Sequence, residues 1–212
     1  MERAAVELPG TLPVFAVSGA LLLPGTRLPL TVFEPRYLAL VDDALGAGRM
    51  FALVQPRDDG GLEAVGTAAR IVAFGETGDG RYLITALGVS RFRSAGVAGG
   101  RAGYVRVVAD YAPYAADLEP DGAVVDRHRL TNAVGHYLAR HGVSMDAGRM
   151  EGASDPELVS AVAMAAPLQP AEKQALLEAA DTVARARLMI GLFEMALLTE
   201  DDDDVARRGP LH

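Results

Sequence analysis

Leu28-Pro29-Leu30-Thr31-Val32-Phe33-Glu34-Pro35-Arg36-Tyr37 changes its period in the middle, and that change decides the fold class. Leu28, Leu30 and Val32 alternate with Pro29 and Thr31, the period of two that marks a half-buried strand. Pro29 has no N–H to give to a ladder, so the strand belongs at a sheet edge or begins there. After Phe33 the pattern turns helical. Pro35 suits a first helical position, where the missing N–H costs nothing, and Gly46 marks the end. Tyr37, Val41, Ala44 and Leu45 are expected to form the buried stripe of this helix, with Asp42 and Asp43 facing out.

Outward from this strand–helix step, the first half of the chain reads as more strands. Thr11 to Val17 and Met50 to Gln55 are short apolar runs. Val65 to Phe74 and Tyr82 to Phe92 flank a turn ending in Asp79-Gly80, a pair that readily takes positive φ, so they read as a hairpin. Tyr104 to Tyr111 is expected to place Val105, Val107, Ala109 and Tyr111 on one face. About six short strands with frequent turns predict a small barrel or curled sheet. The second half reads as helices. Val124 to His141 carries Leu130, Val134, Tyr137 and Leu138 at helical spacing. Ser154-Asp155-Pro156-Glu157 is a capping box that opens a helix to Ala166. Pro170 starts another, and Thr182 to Leu198 is apolar around most of its circumference, as a centrally buried helix is. The expectation is an α+β chain: a β-rich lobe over 8–115, a helical lobe over 122–199 and a disordered acidic tail over 200–212.

Composition narrows the function classes. The 212 residues carry a net charge of −8, and −5 remains when the acidic tail is left out. An acidic surface repels phosphate backbones and anionic lipid, so neither nucleic acid nor a membrane surface is the expected partner. There is no cysteine, which removes disulfides, thiol catalysis and thiolate metal sites. Met1 to Gly10 has no charged start leading into an apolar run, so no signal peptide is read and a cytoplasmic location is expected. Leu12 to Phe33 is interrupted by Pro13, Gly19, Pro24, Gly25 and Pro29 and cannot be a membrane helix.

Several segments, taken in order, resemble the N-terminal substrate-binding domain of Lon proteases, and in particular its short free-standing bacterial relatives. They are Leu12-Pro13-Val14-Phe15, Leu23-Pro24-Gly25, Leu28-Pro29-Leu30 and Phe33-Glu34-Pro35-Arg36-Tyr37. Asp79-Gly80-Arg81-Tyr82, Gly88-Val89-Ser90-Arg91-Phe92 and Pro170-Ala171-Glu172-Lys173-Gln174 continue the match to about residue 198. Ala16-Val17-Ser18 departs from it, standing where a proline-containing segment is expected. The resemblance implies a PUA-like β pseudo-barrel followed by a helical-bundle lobe. It also implies a role in contacting protein substrates, without the ATPase and peptidase parts of Lon. Cereblon carries a related domain, so the module also occurs outside proteases.

The residues themselves give no catalytic constellation. A P-loop needs glycines, a lysine and a hydroxyl in fixed order. The sole lysine, Lys173, stands between Glu172 and Gln174 and breaks that order. It also lies in the expected first turn of a helix, a poor place for the partner of a Ser–Lys pair. His136 and His141 are five apart and do not share a helix face, so surface or capping roles are expected for the histidines and neither metal nor cofactor is. Asp201 to Asp204 lacks the glycine and closing glutamate of a calcium loop.

Phe33, Glu34, Arg36 and Tyr37 are the candidate peptide-binding residues. Their structural roles compete with that assignment: Glu34 carries negative charge at a helix start, Tyr37 packs, and Arg36 is expected to pair with a carboxylate of the barrel. Polypeptide substrates or a dedicated protein partner are the expected ligands, and a homo-oligomer stays open. The alternative is an RNA-binding PUA-like protein, kept alive by Arg91, Arg93, Arg101 and Arg106.

Overall fold

The computed structural model describes residues 8–142 and 152–207, of which 198–207 as backbone only. The chain divides into two compact units, 1–120 and 121–212.

The first unit holds six strands and one α-helix: β1 (Thr11–Ala16), β2 (Arg27–Val32), α1 (Pro35–Gly46), β3 (Met50–Val54), β4 (Val65–Glu76), β5 (Tyr82–Arg101) and β6 (Tyr104–Asp110), followed by a 3-10 helix over Ala112–Leu118. The strands run in the order β2-β5-β4-β3-β1-β6, and β6 pairs back onto β5. Five strands therefore close into a ring. Among the described residues only β1 and β3 pair in parallel, because β2 and α1 lie between them in sequence and supply the crossover. β5 is the strand that closes the ring. Its twenty residues span about 66 Å at 3.3 Å each. The first part pairs with β2 and β4, and the part from Arg93 onward pairs with β6. Register shifts near Gly96 and Gly100 bend it from one partner to the other.

The ring encloses Leu12, Val14, Met50, Ala52, Val54, Ala68, Phe92 and Val107, all nearly or fully buried. Leu21, Leu22 and Leu23 are buried although they lie in no strand. Pro24-Gly25 makes the turn that follows them: Gly25 has φ +80 and Thr26 N–H donates to the Leu23 carbonyl. The buried Thr67 hydroxyl donates to the Leu22 carbonyl at 2.6 Å. Gly88 allows this approach, because a Cβ there would stand 2.3 Å from the Leu23 carbonyl oxygen. At Ala16-Val17-Ser18 the turn is made without proline. Val17 continues the ladder to Val54, and Gly19, at φ +68, donates its N–H to the Gln55 side chain at 2.9 Å.

The second unit contains α2 (Arg127–Arg140), α3 (Asp155–Ala165), α4 (Pro170–Glu178) and α5 (Thr182–Arg207). α2 begins three residues later than its apolar pattern suggests, because Asp126 caps it by accepting from Arg129 N–H. Glu157 closes the capping box of α3 on Ser154 N–H at 2.8 Å, and Glu172 does the same for α4 on Gln169 N–H at 2.7 Å. The buried stripe of α5 is Ala186, Met189, Ile190 and Phe193, and Phe193 stacks on Tyr137 of α2 at 4.7 Å.

Several expectations need correction. α5 runs to Arg207, nine residues past the Leu198 expected as its end. No glycine or proline stands between Gly191 and Gly209-Pro210, so no breaker interrupts the helix over its last four turns. Leu188 and Leu192 are only half-buried and Met195 is 63% exposed, so the core side of α5 is narrower than its composition suggests. β5 runs nine residues past Phe92, and β6 does not alternate: Val107 is buried but Val105 is exposed. On α1, Leu40 takes the buried place expected for Leu45. Asp42 and Asp43 do not simply face water, since they accept hydrogen bonds from Tyr82 and Tyr104.

Candidate functional site

Phe33 to Tyr37 joins β2 to α1, and its four candidate residues have different fates. Tyr37 is buried. Its ring stacks on Phe15 with centroids 4.2 Å apart, and its hydroxyl both donates to the Ala16 carbonyl and accepts from the Ala16 N–H. Glu34 precedes the first turn of α1, but its side chain makes no cap hydrogen bond. The carboxylate instead pairs with Arg36 at 2.8 Å. Arg36 therefore does not reach a barrel carboxylate: a nearer one stands two residues away. Its guanidinium also lies 4.5 Å above the Tyr37 ring. Phe33 is 64% exposed, which for a large aromatic beside an apolar hollow is not a packing role.

Tyr37 separates two hollows in this unit. The smaller, about 340 Å3, is lined by Phe15, Val17, Leu30, Val32, Phe33 and Glu34 among others. The larger is an open trough of about 750 Å3 at the mouth of the ring. Its lining includes Val14 and Val107 from the strands, Leu62 from the β3–β4 connection, Val97 from β5, and Arg36 and Tyr37 from α1. Val97 is 67% exposed. Both hollows are mostly apolar, and the larger falls in the ordinary size range of ligand sites.

Reading by strand period missed the trough, because its walls come from the β3–β4 connection and from the β5–β6 ribbon. A signal was present: Gly96, Gly99, Gly100 and Gly103 within eight residues announce a bent, side-chain-poor ribbon. That ribbon is tied to α1. Tyr104 donates to Asp43, Arg101 pairs with Asp43 at 3.3 Å, and a Cβ at Gly103 would lie 3.2 Å from Cβ of Arg36. Burial, and then the Asp43 carboxylate, push the Tyr104 hydroxyl pKa up.

Of the four arginines that kept RNA binding open, Arg91 is buried. It forms a bidentate pair with Asp117, Nε to Oδ2 at 3.0 Å and Nη2 to Oδ1 at 2.8 Å, and lies 4.5 Å from the Tyr114 ring. Arg101 is held by Asp43, while Arg93 and Arg106 are exposed. In the helical unit, the His141 ring lies tilted against Tyr137 at the end of α2, with centroids 4.3 Å apart and its Nδ1 2.9 Å from the Tyr137 carbonyl. Among the described residues no group of His, Asp or Glu has metal-site geometry, and no helix is long and apolar enough to cross a membrane.

A family model described as the ATP-dependent protease La (LON) substrate-binding domain matches residues 11–194. The chain belongs to the Lon substrate-binding domain family. The Lon protease of Salinispora arenicola is 32% identical over 184 residues, covering 85% of this chain and 23% of that protein. Lon protease 2 of Myxococcus xanthus is 26% identical over 197 residues, covering 88% of this chain and 24% of its own length. The chain thus spans about a quarter of these proteases, and the matched part is the Lon substrate-binding domain. Among solved structures, a Lon N-terminal domain protein from Xanthomonas campestris is 25% identical with a TM-score of 0.62, covering 85% of this chain and 97% of its own. The N-terminal domain of the Mycobacterium avium complex Lon protease has the same fold, with a TM-score of 0.62 at 21% identity, over 87% of this chain and 98% of its own. The α+β architecture described above is thus that of Lon N-terminal domains.

Proposed function

We infer that these 212 residues act as a non-catalytic polypeptide-binding module, with a PUA-like barrel as the contact surface and unfolded or client proteins as ligands in the cytoplasm. The observation that carries this reading is Phe33, a large aromatic left in water at the rim of an apolar hollow. Membership of the Lon substrate-binding family supports it. Phe33 contacts the ligand directly. Glu34 and Arg36 frame the hollows, and Tyr37 holds the wall between them. Binding of this kind buries apolar area with little net charge, so it depends weakly on salt.

RNA binding is the less favoured reading, because two of the four clustered arginines are already engaged by Asp117 and Asp43. A phosphate-binding surface would also lose affinity steeply with salt.

The test is fluorescence anisotropy with labelled, permanently unfolded carboxymethylated α-lactalbumin, folded α-lactalbumin and a salt series. A micromolar Kd for the unfolded form is expected, about −8 kcal/mol. Phe33→Ser should weaken binding about tenfold at an unchanged melting temperature. Equal binding of both forms would sink the unfolded-client version, and ATP or casein turnover surviving Lys173→Ala would sink the non-catalytic one.

A further inference from the structure

Beyond one rung the sheet of the first unit splits. β4 and β5 pair from Glu76↔Tyr82 down to Val65↔Arg93, and Ser94 N–H donates to the Ala64 carbonyl at 2.7 Å. Past that bond the two chains part. Residues 62 and 63 stay with the segment that follows β3, through Pro56↔Leu62 and a bond from Glu63 N–H to the Gln55 carbonyl. β5 goes with β6 as far as Arg101↔Tyr104. Among the described residues no strand pairs with β5 on the β4 side after Ser94. The trough of about 750 Å3 occupies this vacant strand position.

We propose that an extended, uncharged polypeptide segment enters this split as an added strand, hydrogen-bonded to the free edge of β5 over residues 95–100. The proposal deepens the binding reading and rests on it. Three observations carry it.

The first is the unpaired backbone. A row of free N–H and C=O groups beside apolar walls is satisfied by water or by another strand, and strand addition uses such edges without regard to most side chains. Glycine at 96, 99 and 100 leaves the backbone uncovered, and a Cβ at Gly96 or Gly99 would meet nothing within 4 Å. The second is charge. The charged residues of the lining are Arg36 and Glu63, one of each sign, and Arg36 is also paired with Glu34 at 2.8 Å. The lining therefore carries little net charge and matches a neutral segment.

The third is the contrast with the other edge. Among the described residues β2 pairs only with β5, and no strand lies on its other side. Gly88 N–H bonds to the Thr26 carbonyl, so the even-numbered residues of β2 face β5 and the odd-numbered ones face outward. The central outward residue is Pro29, which has no N–H. Proline at that point blunts an edge against pairing. The split at Ser94 has no proline between 94 and 101. One edge of this sheet is closed to added strands and the other is open.

Amide hydrogen exchange tests the proposal, with carboxymethylated α-lactalbumin as the probe. Its binding should slow exchange at residues 95–100 about tenfold and leave the outward amides of β2 unchanged. An uncharged peptide alternating valine and serine should bind likewise. Methylating every second backbone nitrogen, tried in both registers, should cost about tenfold in at least one, the loss of roughly two rungs. Val97→Asp should weaken binding at an unchanged melting temperature. Binding that leaves exchange at 95–100 untouched, or that is indifferent to methylation in both registers, overturns strand addition here while the binding reading stands. If the unfolded protein does not bind at all, both fall together.

Discussion

The Tyr37 hydroxyl and the Ala16 backbone exchange two hydrogen bonds, one in each direction, at 3.0 and 3.3 Å. This pins the start of α1 to the end of β1, twenty-one residues earlier. Together with the stack on Phe15 it makes Tyr37 a structural residue within the candidate site. Tyr37→Ala should cost about 3–5 kcal/mol as a lost packed aromatic. Tyr37→Phe keeps the ring and should cost about 1–3 kcal/mol for unsatisfied backbone groups. Glu34→Ala, on an exposed pair, should cost less than either. Urea unfolding of the three variants checks the order.

Arg91 and Asp117 are almost fully buried, with side-chain exposures of 4% and 9%. Removing one partner leaves the other charge buried alone. Asp117→Ala should therefore destabilise by about 3–5 kcal/mol, whereas replacing both residues by apolar ones of similar volume should cost much less. The two single variants and the double variant, measured in one unfolding series, give the comparison.

Gly88 and Gly80 separate crowding from backbone conformation. Gly88→Ala would drive a Cβ into the Leu23 carbonyl. The cost expected is about 1–3 kcal/mol or more, because backbone must move. At Gly80 the space is open and the only obstacle is φ +79. Alanine there should cost about 1–2 kcal/mol, and asparagine less. A melting-temperature comparison that reversed this order would refute the close approach at Gly88.

Acid should weaken the helical unit. Asp155, held by the Val125 N–H and then Arg127, has its pKa lowered, as has Glu157 by Ser154 and Glu194 by Arg129. A carboxylate whose folded pKa is depressed contributes stability that is present above its unfolded pKa, about 4. That stability is lost as pH falls through the folded value. Helical circular dichroism followed downward from pH 6 should show the loss. Asp155→Asn should remove part of the pH dependence.

Alkali should act on the barrel. Burial pushes Tyr111 up to about 12, and its hydroxyl donates to the Pro9 carbonyl at 2.9 Å. For this raised pKa the contribution is intact below the unfolded value, about 10. It fades between there and about 12 as the pH rises. In a phenolate absorbance titration Tyr111 should ionise late, and Tyr111→Phe should remove that late step.

Much of this was legible along the chain because it depends on neighbours in sequence. The alternation in Leu28 to Val32, the helix opened by Pro35, the capping box at Ser154 and the turn at Asp79-Gly80 each follow from side-chain and φ preferences within a few residues. Pro29 marked an edge strand because a missing N–H is a property of one residue, and β2 is that edge. The α+β class followed from these pieces together. Tertiary structure alone decided what non-local pairing controls. It set how far β5 runs past Phe92, which chain takes its far side, and that β4 leaves it at Ser94. It decided that Arg36 pairs with Glu34 rather than with the barrel, and that Arg91 is buried on Asp117. A ladder hydrogen bond or an ion pair needs two partners brought together from distant positions, and the spacing of residues along one segment carries no record of the other.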